Sequence, residues 1–176
     1  TGALTLLAST VKNNVIYTFN VNVLLATKII RTVDDLDVVK VTQTNIDNNT
    51  SIYGYYVLGA NIDMQNAKLS QNLSGQPGYW EGGFRFRGVF DGRNHTISDF
   101  TAGANGLFGN IGKGAIIKDV NFANVSCNND YLSAVLARTI VGAELNDISI
   151  KVIGFTGTTH DNGLLASRYT DGTIMK

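Results

Sequence analysis

Between Ala115 and Phe122 apolar residues recur at every second position: Ala115 and Ile117, then Val120 and Phe122 after a break at Asp119. Two-residue alternation is the mark of a strand with one buried face. The pattern returns about 28 residues later, where Gly142, Ala143, Leu145, Asp147, Ile148 and Ile150 align without gaps on Gly114, Ala115, Ile117, Asp119, Val120 and Phe122. A third copy starts at Gly163-Leu-Leu-Ala-Ser and Gly172-Thr-Ile-Met-Lys, one residue longer between its halves. Few residues are identical between copies, whereas the apolar and polar positions are kept. Each copy predicts two short strands on either side of a bend at Asp119 or Asp147, residue types that bond nearby backbone and tolerate left-handed conformations. A single copy cannot bury its apolar face. Stacked at about 4.8 Å per coil, the copies pair in parallel and share one core.

Outside the repeat the periodicity changes. Leu4 to Ala8 and Val15 to Val23 are strand-like runs separated by Lys12-Asn13-Asn14, so residues 1–26 predict a β-hairpin. It either covers the first coil or ends an immunoglobulin-like domain. One helix is predicted, centred on Val33 to Val39, with Thr32 or Asp34 as its cap and acidic residues in its first turn. Laid over the open end of the stack, it would cover an exposed edge. Tyr55 to Met64 returns to strand, with a corner at Gly59-Ala60-Asn61. Residues 65–83 lack periodicity, and a loop of that length is functional or ordered by its own side chains. The coil resumes over Phe84 to Phe100, with a turn at Asp91-Gly92-Arg93-Asn94. The third copy stops at Lys176, which aligns with Lys118 in mid-strand, so the expectation is a β-helix truncated at its C-terminal end, spanning residues 27–176.

Composition agrees with a turn-rich all-β chain: 19 glycines, about as many asparagines, one proline, and charges that cancel to a net of zero. The balance gives no reason to expect nucleic acid or an anionic membrane surface as partner. No run is long and apolar enough for a membrane-spanning helix. One cysteine, Cys127, excludes an internal disulfide framework, and with two histidines it makes a zinc site improbable on composition. The expectation is therefore no metal and no cofactor.

The order of the pieces resembles a known family. Asp35-Leu36, Tyr55-Tyr56-Val57-Leu58, Asn61-Ile62-Asp63-Met64, Trp80, the block from Phe86 to Ile97 (Phe-Arg-Gly-Val-Phe-Asp-Gly-Arg-Asn-His-Thr-Ile), Gly106-Leu-Phe-Gly109 and Ile117-Lys-Asp-Val120 look like the right-handed parallel β-helix modules of bacterial surface proteins that carry GLUG repeats. The second coil departs from that pattern with Ala134-Val-Leu-Ala, although its apolar character survives. The resemblance implies an extracellular, cell-surface location, a preceding immunoglobulin-like domain and a stalk, adhesin or binding role, and it brings no catalytic residues.

Candidate chemistry is sparse. Asp119 and Asp147 should stack one coil apart; two carboxylates there could act as acid and base or hold calcium, but corners use Asp for backbone bonding anyway. His95 sits at a turn-to-strand position, His160 in a corner of turn formers, and Cys127 in an apolar setting. Tyr53, Tyr55, Tyr56, Tyr79 and Trp80 are the aromatic residues expected near a surface, and Tyr53, Tyr56, Tyr79 and Trp80 are the candidate ligand-binding set, since rings stack on sugar faces. At least one of Tyr55 and Tyr56 has to face the core. The sequence thus predicts a non-enzymatic adhesion or structural module that binds a host or matrix glycan or protein through its loops. The alternative is a polysaccharide lyase or glycoside hydrolase, which needs carboxylates in line on one face, whereas Asp63, Asp91, Asp99 and Asp119 look dispersed among turns. A phage tail or spike module is a third possibility.

Overall fold

A computed structural model describes residues 3–13, 15–39, 51–68, 85–103, 105–128, 134–156, 163–170 and 174–175. Strands β1 (Ala3–Lys12) and β2 (Val15–Leu24) form the predicted hairpin, an antiparallel two-stranded sheet of their own, with Lys12 opposite Val15 and Asn13 in the left-handed region at φ 53°. The remaining strands build a parallel β-solenoid, as the repeat predicts.

Three faces follow one another around each coil. The first is the run of strands β3 (Lys28–Ile30), β4 (Tyr55–Leu58), β6 (Val89–Asp91), the start of β9 (Ile116–Asn128), the start of β11 (Glu144–Thr156) and β13 (Ile174–Met175), each parallel to the next. The second pairs β5 (Ile62–Lys68) with β7 (Thr96–Ala102), then with the later halves of β9 and β11. The third joins β8 (Asn110–Ile111), β10 (Ala137–Val141) and β12 (Ala166–Thr170), and isolated bridges carry it on through Phe86 and Ile52. Leu145 pairs with Ile117, Ile148 with Val120 and Ile150 with Phe122, so the gapless alignment of the first two copies is the hydrogen-bonded register itself. The third copy joins the ladder with Ile174 opposite Glu144 and Met175 opposite Leu145.

The bend takes a different form from the expected break between strands. Asp119 and Asp147 adopt φ of 53° and 49°, and the strands run on through them as single elements that turn a corner, with Asn124 making a second corner in β9 at φ 52°. A left-handed residue reverses the pleat locally, so the chain turns without leaving the ladder. Two glycines are required by proximity. A Cβ on Gly92 would lie 2.4 Å from the Asp119 carbonyl oxygen, and one on Gly106 would lie 2.4 Å from the Leu136 carbonyl carbon of the next coil, while Gly106 also has φ +58°.

The predicted helix is a 3-10 helix, Asp34–Val39. Its start is a reciprocal cap. The Asp35 N–H donates to Thr32 Oγ1 at 3.3 Å, and Asp35 Oδ2 accepts from the Arg31 and Thr32 N–H groups at 2.9 and 3.2 Å. Lys28 Nζ lies 2.7 Å from Asp35 Oδ1 and, with these N–H bonds, holds that carboxyl well below the usual carboxylate range. Leu36 and Val39 are fully buried and belong to the one hydrophobic core that runs through the stack.

The core is layered by coil. Phe108 packs on Phe86 at 5.0 Å and edge-on to Phe90 at 5.2 Å, while Phe100 meets Phe122 at 6.4 Å between ring centres. Ile97, Ile111, Ile117, Val120 and Val125 belong to the same core and are fully buried.

Candidate functional site

The register brings four polar side chains together on the outside of the first face. Tyr55, Asp91 and Lys118 stand on β4, β6 and β9, and Asp119 follows at the corner. Asp91 Oδ2 accepts from the Tyr55 hydroxyl at 2.8 Å and lies 2.8 Å from Lys118 Nζ, which also reaches Asp119 Oδ2 at 2.9 Å. Asp91 Oδ1 takes the Arg93 N–H at 3.0 Å. The expectation that these carboxylates are dispersed is therefore incorrect for Asp91 and Asp119, because consecutive coils stack residues far apart in sequence. Asp63 and Asp99 do serve at corners: Asp63 Oδ1 accepts the Gln65 N–H at 2.8 Å, and Asp99 Oδ1 accepts from Asn124 Nδ2 at 3.2 Å.

The electrostatics of this group oppose acid–base chemistry. Burial alone would push the Asp91 carboxyl up, but the hydrogen bonds from Lys118, Tyr55 and the Arg93 N–H outweigh it and leave the group below its ordinary value. Hydrogen bonds to Asp91 and Asp119 push Lys118 up. Burial first, then the bond to Asp91, raises Tyr55. Every shift thus stabilises the ionisation state the group already has at neutral pH, whereas a general acid or base works best when poised near it. The arrangement is a staple across three coils.

A second polar row, not anticipated from the sequence, lies on the third face. The Thr139 hydroxyl donates to Asn110 Oδ1 at 2.7 Å, Arg85 Nη1 donates to Thr139 Oγ1 at 3.4 Å, and all three residues are buried. Burial lowers the Arg85 guanidinium from its ordinary value, with the charge of Arg87 adding to the effect. The signal available in the sequence was spacing: Asn110 and Thr139 are 29 residues apart, one coil.

The other candidates fall as follows. Tyr53 is 66% exposed. Tyr56 is buried, its hydroxyl donating to the Tyr53 carbonyl at 2.9 Å, so its assignment to an exposed ligand-binding set is corrected; its position opposite Phe90 on the inward side of the sheet is the reason. Tyr79, Trp80 and His160 lie outside the described residues. His95 has Nδ1 3.2 Å from Asn61 Oδ1, beside the Thr96 N–H on the same oxygen, as a turn-to-strand residue should. Cys127 is a buried free thiol, and burial pushes it up, away from the thiolate form a nucleophile needs.

The family described as M26 IgA1-specific metallo-endopeptidase N-terminal region matches residues 30–152. Neither curated proteins nor solved structures give a match. The family corrects the expectation of a non-enzymatic adhesion or structural module and of its polysaccharide-cleaving alternative. The stacked repeat is a fold signal, and fold alone leaves open whether a solenoid belongs to an adhesin or to part of a protease.

A metallo-endopeptidase implies a metal, and the residues present can be tested against one. Among the described residues no three of His, Cys, Asp and Glu converge on a point that could hold an ion. The two histidines of the chain, His95 and His160, are followed by Thr96 and Asp161, so neither begins a His-Glu-x-x-His segment. The described residues do not fit a catalytic metal centre.

Proposed function

Because the chain belongs to the family of N-terminal regions of M26 IgA1-specific metallo-endopeptidases, we propose that it is an accessory segment of a secreted or surface-attached bacterial protease. In this reading it helps to present the antibody substrate and does not itself cleave it. The observation that carries this is the family match over most of the solenoid. A stack of parallel coils is a stiff spacer, since each coil is fixed to the next by hydrogen bonds along its strands. Stiffness suits a part that holds a large substrate at a set distance from a metal centre elsewhere in the enzyme. An antibody is an extracellular substrate, which supports placing the chain outside the cell. Residues 1–26 fit the same picture as the end of an immunoglobulin-like domain, a reading supported by β1 and β2 forming a sheet separate from the solenoid.

The test separates presentation from catalysis. The 176-residue chain, incubated with IgA1 in the presence of zinc, should leave the heavy chain intact on a denaturing gel while retaining measurable binding to immobilised IgA1. Deleting residues 30–152 from a protease that carries them should lower kcat/KM on IgA1 at least about tenfold, with little change on a short peptide substrate. Cleavage of IgA1 by the isolated chain, abolished by a chelator, would overturn the proposal.

A further inference from the structure

The two ends of the solenoid are finished differently. At the N-terminal end β5 pairs only with β7 among the described residues, yet Ile62 and Met64 are 2% and 3% exposed. At the other end, the later half of β11 pairs among the described residues on one side only, with β9. Its inward residues Ile148, Ile150 and Val152 are only partly buried. The residues they sit on, Val120, Phe122 and Val125, are buried to 1% or less. The same positions of the repeat are therefore covered in one coil and open in the next.

We propose that the β11 edge from Ile148 to Thr156 is a docking edge for one more parallel strand, whose apolar side chains recur at the spacing of Ile148, Ile150 and Val152. Three observations identify that occupant. β13 already lies on the same edge, parallel and in register, at Glu144 and Leu145, so a strand prolonging that ladder meets Ile148 and Ile150 next. The rows to be continued, Ile62–Ile97–Phe122–Ile150 and Phe100–Val125–Val152, are apolar in every coil, which selects branched or aromatic side chains opposite them. The bends at Asp119 and Asp147 repeat the same left-handed geometry, so the occupant needs Asp, Asn or Gly at the equivalent corner. Strand addition of this kind gains its affinity from main-chain hydrogen bonds and its specificity from the alternate side chains.

Register supplies the experiment. With Met175 opposite Leu145, a residue two positions beyond Met175 falls opposite Asp147, so a tail Asp-Ile-Ser-Ile-Lys-Val-Ile-Gly-Phe-Thr appended after Lys176 places its apolar residues over Ile148, Ile150 and Val152. Hydrogen exchange should slow by at least about tenfold at those amides of residues 148–156 that do not bond to β9, relative to the chain without a tail. A control tail with lysine in place of its two leading isoleucines and its valine should give no such protection. Equal protection by both tails would overturn the proposal. So would edge amides already as protected as those of β9 in the parent chain, or a dimer that protects the same amides, which would make a second copy the occupant.

Discussion

Asp91 shows how the solenoid converts sequence distance into local electrostatics. Its carboxyl is buried, and it remains ionised because Lys118, Tyr55 and the Arg93 N–H all donate to it. The group titrates below its ordinary value of 3.8, so it contributes stability that is fully present above that value and is lost as pH falls through the lower folded one. Thermal melts should therefore show a steep acid limb below about pH 4, where the unfolded chain takes up the proton first. Asp91→Asn should lower stability at pH 7 by roughly 1–3 kcal/mol, because Lys118 and Tyr55 lose their charged acceptor. The same variant should flatten the acid limb. An unchanged slope in the variant would show that other carboxylates govern acid unfolding. None of this was legible in the sequence, where Asp91 reads as part of a turn and Lys118 as an outward strand residue. The 27-residue spacing between them becomes informative only once the coil register is known. The corner roles of Asp119 and Asp147 were legible, because a polar residue that interrupts two-residue alternation has few other structural uses.

Among the elements, the 3-10 helix Asp34–Val39 has the clearest single task. Thr32 and Asp35 satisfy N–H groups at its start, while Leu36 and Val39 are fully buried in the core, on a helix that packs beside β3. Leu36→Ala removes a fully buried side chain and should cost about 2–5 kcal/mol. The loss should be local. Amides of β3 and β4 should exchange faster, while those of β9 keep their protection, a contrast that residue-resolved hydrogen exchange would detect. Uniform loss of protection would mean that the helix and the central coils unfold as one unit. The acidic first turn after Thr32 and the apolar positions Leu36 and Val39 predicted this element; the tighter 3-10 winding was not predictable from them, since a six-residue segment is short enough for either geometry. Likewise, the hairpin's two strands and its turn at Lys12-Asn13 follow from alternation and turn residues, whereas the burial of Tyr56 rather than Tyr55 depends on which face the pleat turns inward.

For the whole molecule, a stack in which each coil touches only its neighbours has stability that varies along its axis. The central coils are covered on both sides, whereas the later half of β11 leaves Ile148, Ile150 and Val152 partly exposed. Equivalent substitutions should then differ in cost. Phe122→Ala deletes a buried ring that packs against Phe100 and lies opposite Ile97 and Ile150, and should cost about 3–5 kcal/mol. Ile150→Ala, at the same repeat position one coil later, removes a side chain that is only partly buried and should cost less, on the order of 1 kcal/mol. Denaturant melts of the two variants measure the difference directly, and equal costs would show that something covers the β11 edge in solution. The gradient has a consequence for folding order too. Opening should begin at β13 and β12 and pass through β11 before it reaches β9, because each coil lost exposes the apolar row of the one beneath it. A tail that completes the β11 edge should move that starting point outward and raise the cost of Ile150→Ala toward that of Phe122→Ala.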